Sequence, residues 1–222
     1  MVYDIAAVPP VDLTTFRLRL RGAVAEPVDL SWAAIAALPH ERVVRDFHCV
    51  TTWSVRSVAW EGILTSELIK LVRPDADVRW VLARGRDGYT TSVPYDGFSH
   101  PDSLVAVRMN DEILPPEHGF PLRLVIPSLY AWKSAKYLDA IEFRRDLSRG
   151  FWENRGYHDR GDPWPRSAST SAQREERRQR DRRLRSPLHS RGLEDVESTA
   201  CSGMARVDAR CRPVPRRPPP ES

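Results

Sequence analysis

Cys49 is the residue of this chain whose chemistry is most open to use, because a thiolate can bind a metal or act as a nucleophile. It is the single cysteine among the first 166 residues, and it follows Phe47 and His48 at the end of a predicted strand, where loops carry function. A lone cysteine is by default a small buried core residue, so both roles stay open. His48 is its neighbour, and Arg45, four residues earlier, is predicted to face the same pocket.

A second concentration of reactive side chains lies between residues 118 and 136. His118 and Arg123 are separated by a glycine and a proline that restrict the backbone between them, and Lys133 and Lys136 follow after the next strand. Arginine can hold a phosphate through a planar fork of donors, and lysine can hold it as a point charge. Each cation taken singly could simply point outward from a strand. Together with Cys49, they predict a site for an anionic, phosphate-bearing ligand.

The charge of the chain is concentrated in its C-terminal part. The 222 residues carry a formal net charge of +4, but residues 167–222 contain 13 arginines and 8 acidic residues, which leaves the first 166 positions near −1. Such a tail has almost no apolar face to bury and is predicted to be disordered. Nucleic-acid binding through it is the weaker alternative, since the tail lacks aromatic residues that could stack on bases.

Composition places the rest of the chain among ordinary globular proteins. No stretch approaches the roughly 20 consecutive apolar residues of a membrane-spanning helix. Neither a signal peptide nor a twin-arginine motif is visible near Met1, so we expect a cytoplasmic location. Two of the three cysteines, Cys201 and Cys211, lie in the tail and favour neither a disulfide framework nor a zinc site. We therefore expect one domain over residues 1–165 and a tail over 166–222.

Short elements of both kinds must position the reactive residues. Ser31 is predicted to cap one short helix, and Thr65 or Ser66 a second. Alternating or proline-bounded apolar runs predict strands at residues 15–22, 43–49, 78–83, 89–93, 103–109, 122–126 and 137–143. The Asp-Gly pair at 87–88 predicts a hairpin. The fold class is therefore α+β, with mixed sheets, short helices and long loops.

Large aromatic side chains are frequent, and their bulk favours a place in the core. The sequence does not select any one of them for the lining of a substrate funnel. The tryptophans in question are Trp53, Trp60, Trp80, Trp132, Trp152 and Trp164.

Six segments spread over the predicted domain carry a family resemblance. They are residues 46–54 (DFHCVTTWS), 60–62 (WEG), 87–94 (DGYTTSVP), 118–123 (HGFPLR), 133–136 (KSAK) and 150–164 (GFWENRGYHDRGDPW). In this order they resemble the sulfite-oxidase-like molybdopterin-binding oxidoreductases, and the compact bacterial members above all. The resemblance covers roughly residues 10–165 and implies a sulfite-oxidase-type molybdopterin-binding fold.

The resemblance implies a mononuclear molybdenum held by the pterin dithiolene, by oxo groups and by one protein thiolate, which Cys49 matches. His118 and Arg123 match positions that bind the molybdopterin. The cofactor is either bare or extended by a nucleotide. Its phosphate end is matched by the segment Ser134, Ala135 and Lys136, which Lys133 adjoins as a further contact.

The resemblance also implies oxygen-atom transfer to or from a small substrate, with electrons that pass singly to or from a separate redox partner. Sulfite oxidases proper have an arginine five residues after the cysteine, where this chain has Ser54. An S-oxide or N-oxide reduced in the opposite direction therefore stays open beside sulfite. Two rivals come from other classes: a cofactor-free binding module that keeps the fold, and a protein that associates with nucleic acid through its tail.

Overall fold

Short strands dominate the part of the chain that the computed structural model describes, residues 5–7, 10–51 and 53–163. The strands are β1 Arg17–Gly22, β2 Val28–Ser31, β3 Glu41–His48, β4 Ser54–Leu64, β5 Trp80–Gly85, β6 Thr90–Pro94, β7 Leu104–Met109, β8 Glu112–Ile113, β9 Arg123–Val125 and β10 Leu138–Arg144. The helices are α1 Trp32–Ala37, α2 Thr65–Val72 and α3 Tyr95–Phe98, with 3₁₀ turns at Pro116–His118, Ala131–Lys133 and Glu153–Arg155. The predicted α+β class is confirmed.

The strands form two five-stranded sheets. In the first, the order is β2-β1-β10-β5-β6, and only the β1–β10 pair is parallel, with Leu20 opposite Ile141. In the second, the order is β3-β4-β7-β8, and β9 also pairs with β7. A sheet that combines parallel and antiparallel neighbours matches the predicted mixed architecture.

The second sheet is covered on both faces. Ile63 and Val105 belong to the main core, which the sheet shares with α1, α2 and the first sheet. Trp60 and Leu104, on the same two strands, belong to a smaller cluster together with Phe47. Because both faces are apolar in its second half, β4 lacks the alternation that marks a half-buried strand. This eleven-residue strand was absent from the sequence-based prediction for that reason.

Two helix predictions have different outcomes. Ser31 caps α1 as predicted, since its side chain accepts a hydrogen bond from the Ala34 N–H at 3.2 Å. The predicted cap of α2 is wrong, because Leu64 occupies the cap position and makes no side-chain cap bond. The Thr65 hydroxyl lies in the interior and donates to the carbonyls of Phe98 and Ser103.

The predicted hairpin is present, and the helices are short. β5 and β6 pair around Gly88, whose φ of +83° suits the predicted turn. The longest helix of the described residues has eight residues, and none there is long and apolar enough to cross a membrane. The predictions for the tail after residue 165 lie outside the described residues.

Candidate active site

One cavity of about 560 Å³ collects most of the predicted reactive residues. It opens beside the β3–β4 turn and is bounded by the end of β7, by the 3₁₀ turns at 116–118 and 131–133, and by the β5–β6 hairpin. Five predicted site residues line it: Cys49, His118, Arg123, Ser134 and Lys136. Non-local folding thus joins segments that are up to 87 positions apart in the sequence.

Cys49 lies at the end of β3, in the turn that leads to β4. Its backbone N–H donates to the carbonyl of Trp53 at 2.9 Å, which closes the turn. Its thiol is free and half-buried, and Sγ lies 3.2 Å from Thr51 Oγ1. The sulfur therefore faces a cavity rather than a hydrocarbon core.

His118 and Lys136 come together because Gly119 allows two segments to touch. Gly119 has a φ of +112°, and a Cβ there would lie 2.9 Å from Lys136 Cβ. The Tyr137 N–H donates to the Gly119 carbonyl at 3.3 Å, and Lys136 Nζ donates to the Glu117 carbonyl at 3.2 Å. Gly119, between His118 and Arg123, thus packs that segment against the residues just before β10, which include Lys136.

Arg123 is a buried cation without a carboxylate partner among the described residues. Its guanidinium carbon lies 5.1 Å from the ring centroid of Phe47 and 5.3 Å from that of Trp60, and one terminal nitrogen donates to the His118 carbonyl at 3.3 Å. Its Nε is buried and has no hydrogen-bond partner. Burial lowers the pKa of Arg123 to about 10. A guanidinium held this way predicts an anionic ligand, since the protein itself leaves its charge uncompensated.

Further hydrogen-bond donors surround the same cavity. The indole N–H groups of Trp60 and Trp132 are buried without a partner in the part of the chain that is described. Ser134 Oγ accepts from the Ile126 N–H at 3.0 Å, which leaves the hydroxyl proton for a ligand. Burial, and then the nearby Arg123 charge, lowers the pKa of His118 below its usual 6.5. A neutral imidazole can both donate and accept a hydrogen bond.

Three predicted site residues lie away from the cavity lining. Arg45 is exposed and forms a two-bond ion pair with Asp102, at 2.8 and 3.0 Å. The pairing of β3 with β4 shifts register between Arg45 and Phe47, so the two residues do not share a face as they would in a regular strand. His48 Nδ1 lies 2.7 Å from the Ser54 hydroxyl. Ala135 is fully buried in the main core.

Lys133 is the fourth residue that the structure places elsewhere. Its side chain is fully buried, and Nζ lies 2.5 Å from Glu153 Oε1, 2.6 Å from the Ser92 carbonyl and 2.5 Å from the Asp159 carbonyl. These three acceptors use the three protons of an ammonium group. Burial lowers the pKa of Lys133, and the Glu153 carboxylate opposes that shift. Lys133 is therefore engaged inside the protein, and it has no proton left for a phosphate in this arrangement.

Comparison with known proteins agrees with this geometry. Residues 5–152 match the model of the oxidoreductase molybdopterin binding domain, two thirds of the chain. The chain belongs to this family. It is 42% identical over 153 residues to an uncharacterized oxidoreductase, YuiH, of Bacillus subtilis, covering 69% of this chain and 77% of that protein. It is 30% identical over 156 residues to the protein-methionine-sulfoxide reductase catalytic subunit MsrP of Campylobacter jejuni, covering 63% of this chain and 52% of that subunit.

Among solved structures, the fold of this molybdopterin-binding domain is similar to that of the sulfane dehydrogenase SoxCD from Paracoccus pantotrophus. The TM-score is 0.58 at 19% identity, over 63% of this chain and 40% of that one. This likeness concerns the fold, and it confirms the predicted sulfite-oxidase-type architecture. The chain spans about half the length of the Campylobacter subunit.

The residues of the cavity fit the cofactor of the family, which is molybdopterin with its molybdenum. Buried donors without partners suit the oxygen-rich and anionic parts of such a group, and a thiol suits a soft metal. No three His, Cys, Asp or Glu side chains of the described residues come together as a metal site. A metal at Cys49 would therefore take its remaining ligands from the cofactor and from non-protein oxygen.

Aromatic residues are what the sequence-based reasoning missed at this site. Trp53, Trp60, Trp132 and Trp152 all line the cavity, whereas their residue type alone favours a place in the core. Tyr89 also lines it, and its hydroxyl donates to the Trp132 carbonyl at 2.5 Å. Trp80 does not line it, and Trp164 lies outside the described residues. The sequence carries no signal that separates these cases, because each depends on packing between distant segments.

Proposed function

We propose that the chain is a molybdenum-dependent oxidoreductase that transfers an oxygen atom to or from a small substrate, with the Cys49 thiolate as the protein ligand to the metal. One observation carries the proposal: the sulfur of Cys49 and the uncompensated guanidinium of Arg123 line the same cavity. The cofactor supplies the two-electron chemistry when bound. The protein contributes ligation, charge and access.

The cationic side of the cavity holds the anionic part of the cofactor in this proposal. Arg123 contributes a buried charge whose Nε lacks a protein partner, and Lys136 contributes a second charge. The Ser134 hydroxyl donates a hydrogen bond to the cofactor, and His118 orients the pterin as a neutral imidazole. Cys49, from the β3–β4 turn of the cavity lining, holds the metal.

Reduction of an S-oxide is the direction that we favour. The overall step is R₂SO + 2e⁻ + 2H⁺ → R₂S + H₂O, in which the sulfur–oxygen bond breaks and the two electrons come singly from a separate redox protein. Two observations support this choice. Ser54 stands where sulfite oxidases have a substrate-binding arginine, and the residues 49–51 and 53–55 beside the sulfur carry no charge. Sulfite oxidation, SO₃²⁻ + H₂O → SO₄²⁻ + 2e⁻ + 2H⁺, is the second candidate.

Elemental analysis of the purified protein is the first test. We expect about one molybdenum and two pterin sulfurs per chain beyond those of the protein. Cys49→Ser should abolish turnover and keep the pterin bound, because a hydroxyl is a poor substitute for the soft ligand. Turnover with sulfite, S-oxides and N-oxides then identifies the substrate class.

The rival without a cofactor makes the opposite prediction. A binding module that keeps only the fold would be purified without molybdenum and pterin from a host that makes the cofactor, and that result would overturn the proposal. The cytoplasmic location and the association of the tail with nucleic acid stay predictions. The second of these is tested by removal of the chain after Ser167, which should abolish any salt-sensitive binding to nucleic acid.

A further inference from the structure

Exposed apolar side chains occur on the lining of the cavity. Among the described residues, four large hydrophobic side chains are exposed: Val44 by 37%, Trp53 by 42%, Val55 by 47% and Ile113 by 66%. Two of them, Trp53 and Val55, line the cavity. Apolar surface left in water at the entrance of a binding cavity favours an apolar ligand that covers it.

The hairpin that carries Cys49 also holds this apolar rim, Trp53 and Val55, in place. The Trp53 carbonyl accepts the hydrogen bond from the Cys49 N–H that closes the turn. Val55 lies directly opposite Phe47 in the β3–β4 ladder, and residues paired in this way point to the same face of a sheet. Phe47 is itself part of the cavity wall, beneath the guanidinium of Arg123. Backbone hydrogen bonds of this hairpin therefore hold the rim in the same turn and ladder as Cys49.

The chemistry of the rim points to one kind of occupant. The described residues between 49 and 55 are apolar or neutral, so nothing there attracts a charged substrate. The cations on the cavity lining, Arg123 and Lys136, hold the cofactor in the proposed function. Beside Cys49, the same lining contains an indole ring and a branched aliphatic side chain, those of Trp53 and Val55. Such surfaces bind alkyl and aryl groups by burial and dispersion.

We propose that Trp53 and Val55 are specificity-determining residues that bind the apolar substituent of an S-oxide substrate beside Cys49. The inference rests on the proposed function, and it adds a preference for S-oxides with an aryl or a long alkyl group over small ones such as dimethyl sulfoxide. The reaction is the two-electron reduction of the S-oxide to the sulfide and water, as in the proposed function. The rim changes only how tightly each substrate is held.

Paired substrates test this selection in the loaded enzyme. The variants are Trp53→Ala, Val55→Ser and the control Ile113→Ala, which removes an exposed apolar side chain that does not line the cavity. We expect the ratio of kcat/KM for methyl phenyl sulfoxide to that for dimethyl sulfoxide to fall about tenfold in Trp53→Ala, mainly through KM, and less in Val55→Ser. The ratio should stay unchanged in Ile113→Ala.

A binding measurement separates this inference from the proposed function. Calorimetric titration of the loaded protein with methyl phenyl sulfoxide, without an electron donor, should show weaker binding in Trp53→Ala than in the control. If the wild type contains molybdenum but reduces no S-oxide, the favoured reaction, S-oxide reduction, fails, and the titration still decides whether the rim binds the aryl group. Equal ratios and equal affinities in Trp53→Ala and Ile113→Ala would overturn the inference. An equal loss of kcat with both substrates would also overturn it, since that result assigns the rim to the electron donor or to the shape of the turn.

Discussion

Arg123 and Lys133 are two buried cations that should respond in opposite ways to the same substitution. Arg123 has aromatic rings and one carbonyl around it, with no carboxylate among the described residues, while Lys133 has a carboxylate and two carbonyls. Methionine keeps a long apolar side chain at each position and removes the charge. A comparison of Arg123→Met with Lys133→Met therefore distinguishes the cation that binds a ligand from the cation that stabilises the fold.

The expected change in the free energy of unfolding for Arg123→Met follows from the pKa of Arg123. The lowering of the Arg123 pKa by burial to about 10 corresponds to roughly 3 kcal/mol of destabilisation of the charged form relative to the neutral one. Its contacts with the rings of Phe47 and Trp60 offset about 1 kcal/mol each. Arg123→Met should therefore leave the free energy of unfolding of the cofactor-free protein unchanged or raise it by about 1 kcal/mol. The same variant should retain much less molybdenum.

For Lys133→Met, the expected change in the free energy of unfolding has the opposite sign. Its removal leaves the Glu153 carboxylate buried without a cation, and Glu153 is only 3% exposed. Loss of one partner of a buried pair costs about 3–5 kcal/mol. Lys133→Met should therefore lower the stability of the cofactor-free and of the loaded protein alike. The molybdenum content per folded molecule should stay close to that of the wild type.

Urea unfolding followed by tryptophan fluorescence measures both variants, in protein made with and without the cofactor. Molybdenum per folded chain is measured on the same samples. A loss of more than about 2 kcal/mol in cofactor-free Arg123→Met would give Arg123 a structural role and contradict the first expectation. Loss of molybdenum without loss of stability in Lys133→Met would make Lys133 a contact of the phosphate and contradict the second.

Three further predictions concern single residues of the site. Gly119→Ala should lose more stability than Gly88→Ala in urea unfolding, because both have positive φ but only Gly119 faces backbone that a Cβ would strike. Burial lowers the pKa of His118 in the folded protein, so the unfolded chain binds a proton at a higher pH than the fold does. Stability should therefore fall as the pH drops through about 6.5, and His118→Gln should flatten this slope. Thr51→Val should lower the molybdenum potential in a spectroscopic redox titration, and Thr51→Ser should preserve it, since the hydroxyl next to Cys49 Sγ withdraws charge from the sulfur.

Much of the site could be predicted because residue type and order already restrict it. A cysteine after a strand and a group of cations at 118–136 led to five residues that the structure brings to one cavity: Cys49, His118, Arg123, Ser134 and Lys136. Arg45 shows where such reasoning stops. A regular strand would place it on the face of Phe47 and Cys49, but the register shift before Phe47 and the ion pair with Asp102 turn it outward. Neither feature is visible in the local sequence.

The fold was predictable to a similar degree. Strands with one buried face, such as β1, can be predicted from the alternation of apolar and polar residues. In β1, Leu18 and Leu20 are buried between exposed arginines. β4 does not show this alternation, since its second half is covered on both faces and neighbouring apolar residues such as Val58, Ala59 and Trp60 are all buried. The cap of α2 failed for a related reason. Thr65 could serve as a cap by its type, yet its burial among carbonyls from residues 98 and 103 decides its role.

The two lysines at 133 and 136 show why a cofactor contact cannot be assigned from spacing alone. Gly161 packs over the stem of Lys133, with an added Cβ only 2.8 Å from Cε, while Gly119 packs on the backbone of Lys136. Ser134, directly after Lys133, has a ψ of 79°, and Tyr137, directly after Lys136, has a φ of +55°, so neither has regular strand geometry. Alternation cannot predict the direction of either side chain across such a stretch. The hydrogen-bond partners in the structure do distinguish the cations. The buried ammonium of Lys133 has three protein acceptors and is already satisfied. The buried guanidinium of Arg123 has an Nε without a partner, which an anion can satisfy.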